Sequence, residues 1–162
     1  MTSASPQASP ASPPRLPAEL VRSTSFLLKR LGYAAKERAI EAYERTGLSP
    51  YHHAVLAVLD EGSRETQGAI ADALGYDRGQ LVGLLDELEQ RGLVERRRDP
   101  SDRRRHTVRL TPEGKRALSR LRALARRLED DFLATLDDGE RAQLYTLLLQ
   151  LAEQHLPQRA RP

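Results

Sequence analysis

Residues 66–118 read TQGAIADALGYDRGQLVGLLDELEQRGLVERRRDPSDRRRHTVRLTPEGKRAL, and the fold follows from this stretch. Thr66 stands where a hydroxyl caps a helix, and the next eight residues predict a short helix over 67–74 with Ala69, Ile70 and Leu74 facing a core. A four-residue link, Leu74-Gly75-Tyr76-Asp77, leads into a second helix over 78–91. Leu81, Leu84, Leu85 and Leu88 recur there at the spacing of one helical face. After Gly92, Leu93-Val94 starts a strand, and His106–Leu110 reads as its returning partner, with Val94, Val108 and Leu110 as the apolar members. The pattern is a helix-turn-helix followed by a two-stranded hairpin, a wing, whose projecting segment is taken as Arg96–Arg105.

That segment holds Arg96, Arg97, Arg98, Arg103, Arg104 and Arg105 against Asp99 and Asp102, a surplus of four positive charges in ten residues. The whole chain carries only +3, so charge distribution is more informative than net charge. An arginine run by itself also reads as a solvated, self-repelling loop. Placed at a hairpin tip behind a helix-turn-helix, it suits phosphate contacts and entry into a narrow minor groove.

Working outward, Ser49-Pro50 and Thr111-Pro112 each put a hydroxyl at an N-cap and a proline in the first turn. Asp77 with Gln80, and Asp137 with Glu140, fit capping-box spacing. Gly47, Gly62, Gly75 and Gly92 fall where helices should stop. Six helices are predicted, at roughly 17–46, 50–61, 67–74, 78–91, 112–135 and 138–155. The fold class is mainly α with a small β-hairpin wing. Residues 1–15 are a Pro/Ser/Ala tract expected to be a disordered tail, and 157–162 a frayed end.

Of the 162 residues 39% are hydrophobic and 4% aromatic, with no Trp. A core of Leu, Val and Ala from packed helices fits this composition, and low apolar content with long Leu-lined helices hints at burial against a second copy. Cysteine is absent, which removes disulfides, thiolate metal sites and thiol redox sensing. No apolar run is long enough to span a membrane, and the N-terminus lacks the pattern of a secretory signal, so a cytoplasmic location is expected.

Residues 66–118 resemble the MarR family of winged helix-turn-helix regulators. The carrying stretch is Arg91–Leu118, preceded by DRGQLVGLLDELEQ. The wing motif, Asp then Arg two residues on, stands as Asp102-Arg103-Arg104, and the Leu-Thr-Pro-x-Gly opening of the next helix as Leu110–Gly114. Six-helix order extends the resemblance from about Leu20 to Leu156. It implies a homodimer built by the first, fifth and sixth predicted helices. The expected organisation is a dimerisation helix in 16–48, a DNA-binding lobe in 49–111 and dimerisation helices in 112–156. Leu118, Leu121, Ala125, Leu128 and Phe132 of the fifth, with Leu144, Leu147, Leu148 and Leu151 of the sixth, form stripes suited to this role or to filling a monomer core.

A twofold dimer presents two recognition helices to successive major grooves and favours a near-palindromic operator. Arg78, Gln80 and Val82 are candidates for base contact, with guanine, adenine and a thymine methyl respectively. Arg78 equally reads as a phosphate contact and Gln80 as part of the cap. Thr66 and Gln67, at a helix N-terminus, suit a phosphate. By resemblance, Arg104 enters the minor groove with Asp102 orienting it. Arg98, Arg103 and Arg105 are expected on phosphates. Gly79 and Gly83 depart from the family, which often has hydroxyl or longer polar residues there, and each costs about 1 kcal/mol of helix stability relative to alanine.

The family implies repression relieved by a small phenolic or carboxylated effector. Tyr33, Arg45, Tyr51, His52 and His53 are candidates to line its cleft, each with a plainer reading as packing or surface. A nonspecific or architectural DNA-binding protein is the alternative function. An enzyme is not expected: the four histidines form no metal-ligand pair at helical spacing, and no glycine-rich phosphate loop occurs. No cofactor or metal is predicted.

Overall fold

Residues 15–62, 66–98 and 106–156 are described in a computed structural model of the chain. The expected N-terminal tail, the C-terminal end after Leu156 and the wing tip at 99–105 lie outside the described residues. The chain divides into two units, 1–36 and 37–162.

The elements run α1 (Ala18–Val21), α2 (Thr24–Glu44), α3 (Pro50–Asp60), α4 (Gln67–Leu74), α5 (Arg78–Gln90), β1 (Val94–Arg98), β2 (His106–Leu110), α6 (Pro112–Phe132) and α7 (Asp138–His155). Five of the six predicted helices are present with small shifts at their ends. The first is not continuous: it breaks at Arg22-Ser23, giving α1 and α2. Ser23 Oγ accepts the amide of Phe26 at 3.3 Å. A serine that bonds the backbone ahead of it starts a helix more readily than it continues one, and that local competition is the reason for the break.

The lobe within residues 37–162 has one core. Val55, Leu56, Val58 and Leu59 of α3, Ile70 and Ala71 of α4, Leu81, Leu85 and Leu88 of α5, Val94 of β1, Val108 of β2, and Ala117, Leu118 and Leu121 of α6 are all buried, joined by Tyr43 and Leu93. Ala69, expected inside, is only half-buried, and Ala71 takes its place. Leu118 and Leu121 fill this core at 1% and 2% exposure and Leu128 packs against it, so of the dimer stripe expected on this helix only Ala125 and Phe132 are not part of the core.

The two strands pair antiparallel in the register Val94↔Leu110, Arg96↔Val108 and Arg98↔His106. Alternation places Val94 and Val108 inward, as predicted. An isolated bridge, Thr66↔Thr107, ties the start of α4 to β2.

Helix starts follow the hydroxyl and carboxylate signals. Thr66 accepts from Ala69 N at 3.3 Å, Asp77 from Gln80 N at 2.8 Å, and Thr111 from Gly114 N at 3.0 Å. Asp137 and Glu140 form the reciprocal capping box. Asp77 makes only the forward bond, so the predicted box with Gln80 is half realised. At Ser49 the box is completed by an unexpected partner, the His52 imidazole.

Thr111 does more than cap. Its hydroxyl donates to the Gly92 carbonyl at 2.6 Å, clamping α6 to the start of the hairpin. Gly114 then lies so close that a Cβ there would stand 2.0 Å from the Leu93 carbonyl oxygen. The Thr-Pro-x-Gly signature is therefore a packing joint as well as a helix start.

Candidate nucleic-acid interface

The link between α4 and α5 sets their relative direction. Gly75 ends α4 with φ at +66°, in the left-handed region that side chains disfavour, and Asp77 starts α5 two residues later. Burial of Leu81, Leu85 and Leu88 on one side turns the opposite side of α5 outward. Arg78, Gly79, Gln80, Val82 and Gly83 are exposed there.

A hollow of about 200 Å³ lies between the two helix starts, lined by Gln67, Gly68, Arg78, Leu81 and Val82. Three of the predicted DNA-contact residues, Gln67, Arg78 and Val82, thus share one surface. Thr66 adjoins it at the α4 cap. Gln80 is exposed with its side chain outside the Asp77 cap. Val82, an apolar residue 40% exposed on an otherwise polar face, suits a methyl group better than water.

The glycines of this face have open surroundings. A Cβ on Gly83 would meet nothing within 4 Å, and one on Gly79 only the Asp77 carboxylate at 3.2 Å. The lobe itself therefore does not demand glycine at position 83, whereas a side chain at 79 would press on the Asp77 cap.

Arg98 closes β1. Its side chain lies outside the described residues, as do Asp102, Arg103, Arg104 and Arg105. Arg96, expected in the projecting wing, is instead mid-strand. Its Nη1 lies 2.6 Å from Asp86 and 3.0 Å from Glu89, both on α5. Arg97, also counted with the wing, is the penultimate residue of β1 and pairs with Glu95 at 2.8 Å. The charge surplus of 96–105 is thus partly met by acids outside that window, which the sequence count omitted.

The residues expected to line an effector cleft each have their own surroundings. Tyr33 is on the N-terminal half of α2, in the separate unit. Arg45 is exposed and pairs with Glu41 at 3.4 Å. Tyr51 meets Tyr76 edge-on with ring centres 5.8 Å apart. His52 is 5% exposed. Its Nδ1 accepts the Ser49 amide at 3.0 Å, which puts the ring proton on Nε2. Nε2 stands 3.0 Å from the Glu87 carboxylate. Burial lowers the His52 pKa, with Glu87 opposing and Arg91 assisting.

His53 Nδ1 is 2.6 Å from the Tyr43 hydroxyl, and the rings stack. Burial, then the positive charge of Arg122, lowers the His53 pKa. Arg122 in turn pairs with Asp60 at 2.9 Å. Tyr43, Asp60 and Arg122 were not singled out from the sequence. Tyr43 reaches His53 from α2, Asp60 shares α3 with it, and Arg122 arrives with the packing of α6 on α3.

A helix-turn-helix with its second helix outward and a hairpin beside it defines a winged helix-turn-helix protein. Residues 46–105 match the model of the MarR family. A putative transcriptional regulatory protein for the hcr operon of Thauera aromatica is 33% identical over 85% of this chain and 86% of its own. Among solved structures, the transcriptional repressor CouR bound to a 23-mer DNA duplex superposes with a TM-score of 0.76 at 35% identity, covering 86% of this chain and 99% of that one. CouR from Rhodococcus jostii RHA1 bound to p-coumaroyl-CoA gives 0.70 at 32%, covering 85% and 95%. The chain belongs to the MarR family of transcriptional regulators.

Proposed function

We propose that this regulator works as a homodimer that binds a near-palindromic duplex operator, represses transcription from it, and releases it when a small aromatic effector binds. The observation that carries the reading is the outward face of α5, where Arg78, Gln80 and Val82 stand free beside Gln67. Arg78, Gln80 and Val82 meet bases. Thr66 and Gln67 hold a phosphate. Arg98, Arg103 and Arg105 neutralise phosphates, while Arg104, oriented by Asp102, enters the minor groove.

Segments 16–48 and 112–156 join the two copies. The support within this chain is α7, which buries no residue of its own and leaves Leu147, Leu148 and Leu151 at least 40% exposed. The protein acts by binding and not by catalysis, and it works in the cytoplasm with the chromosome. No described helix is long and apolar enough to cross a membrane.

The effector is a phenolic or carboxylated molecule, free or as a thioester. The p-coumaroyl-CoA bound by CouR supports this class. Of the residues considered, His53 is the best placed, since Tyr43 and the Asp60–Arg122 pair gather around it.

A second reading, nonspecific or architectural binding, is favoured by Gly79 and Gly83, which contribute no side-chain readout. Salt-titrated binding to the DNA upstream of the gene, beside scrambled DNA of equal length, separates the two. Preference for the upstream DNA at physiological salt, weakened about tenfold or more by Arg104→Ala, is the expected result. Equal binding to both duplexes, lost as salt rises, contradicts the specific reading of that site.

A further inference from the structure

The last turns of α5 carry Asp86, Glu87 and Glu89, with no basic residue in the final turn. Carboxylates at a helix C-terminus oppose the macrodipole, and near a DNA surface they also repel phosphates. Three acids in that position call for a compensating charge, and two of them have one. Glu87 faces His52 of α3. Asp86 and Glu89, three apart and so on one side of the helix, converge on Arg96 of the wing strand.

The Arg96 contact is built from two levels of structure. Its guanidinium Nη1 bridges both carboxylates, and its backbone N–H also donates to Glu89 Oε1 at 3.3 Å. The Arg96 side chain is 21% exposed, against 64% for Arg97, the next residue. In the strand alternation Arg96 shares the face of Val94, which is 2% exposed in the core. The charge therefore sits where the hairpin leaves the core and begins to project.

We propose that Arg96 is a positioning residue for DNA recognition, a latch that fixes the wing against the recognition helix without touching DNA. The inference rests on the DNA-binding reading above and deepens it. A recognition helix and a wing read adjacent grooves together only if the angle between them is set before binding; otherwise ordering the hairpin opposes association. Val94 anchors the hairpin root. Asp86 and Glu89 hold it one step further out, through a single nitrogen of Arg96.

The test measures binding to a specific duplex and to a scrambled one across a salt series. Arg96→Met should weaken specific binding by about tenfold and leave the salt dependence of the logarithm of affinity unchanged, because no phosphate contact is lost. Arg96→Lys, which keeps a point charge, should restore part of the loss. An independent variant on partly exposed positions, Asp86→Asn with Glu89→Gln, removes two negative charges from the DNA side. Electrostatics alone makes that variant bind every duplex more tightly; the latch requires tighter scrambled binding but weaker specific binding.

A salt slope reduced by about 0.9 in Arg96→Met identifies a phosphate contact and overturns the proposal. So does specific binding that improves in the double variant. If the wild-type protein itself shows no preference for any duplex, the DNA-recognition reading fails first and the latch falls with it. Wild-type preference with unchanged specific binding in Arg96→Met overturns the latch alone.

Discussion

Helices α5 and α7 each open on an aspartate whose carboxylate accepts the amide three residues on, at 2.8 and 2.9 Å. From there they diverge. The 13 residues of α5 bury three leucines against their own lobe. The 18 residues of α7 bury none, although Leu144, Leu147, Leu148 and Leu151 line it. Capping is a local property that a sequence supplies wherever the residues are right. Burial requires an opposing surface, and α5 has one within the chain. A helix of this length is marginal on local interactions alone. The contrast therefore teaches that the lobe finds its core within one chain, whereas α7 leaves its leucines uncovered, as the proposed dimer requires.

The largest effect is expected from spoiling the uncovered face. Leu147→Lys with Leu151→Lys should leave the lobe folded, produce a monomer in sedimentation, and lower operator affinity by about a hundredfold or more, since two tethered half-sites become two independent ones. A dimer with unchanged affinity would break the comparison at its base.

Next in size is a change at the joint between hairpin and α6. Gly114→Ala drives a methyl group into the Leu93 carbonyl, and overpacking of this kind costs about 1–3 kcal/mol. Thermal unfolding should show the loss, with the dimer retained once folded. An equally stable variant would mean that the clamp yields freely.

Gly83→Ala sharpens the comparison from the other side. The surroundings are open, so alanine should stabilise the free protein by about 1 kcal/mol. If the backbone of α5 approaches DNA at this glycine, the same substitution weakens operator binding. Greater stability with unaltered affinity would mean that α5 does not approach DNA closely at this glycine.

The smallest effect is one of pH. His52 and His53 both titrate below the ordinary histidine value in the folded lobe, burial being the first cause in each. As pH falls through about 6.5 the unfolded chain takes up protons that the folded chain still refuses. Stability is therefore full above that pH and declines on acidification. Melting temperature should drop between about pH 7.5 and 5.5, and His53→Gln should flatten the drop.

The sequence made much of this legible because the fold's signals are local. Hydroxyl and carboxylate caps at Ser49, Thr66, Asp77, Thr111 and Asp137, together with the stripe Leu81–Leu85–Leu88, place α3 to α7 nearly where they stand. Alternation of Val94 and Val108 likewise gave the hairpin. Features that depend on partners distant in sequence were not legible. Arg96 reads as free wing charge in the sequence, and only the fold brings Asp86 and Glu89 beside it. His52 looked like a ligand candidate until its ring completed the Ser49 cap. Burial of Leu118 and Leu121 in the lobe depends on α6 packing against α3, which a helical stripe alone does not choose. The Ser23-Thr24-Ser25 run competes locally with the helix, a signal that the single helix expected over 17–46 leaves out.

Native mass spectrometry of the protein with a duplex carrying its preferred site tests the central claim most directly. A lobe complete in one chain, joined through α7 to a second, predicts two chains per duplex and no stable species with one. A stable complex of one chain per duplex, or an open-ended ladder of loading, would contradict the account.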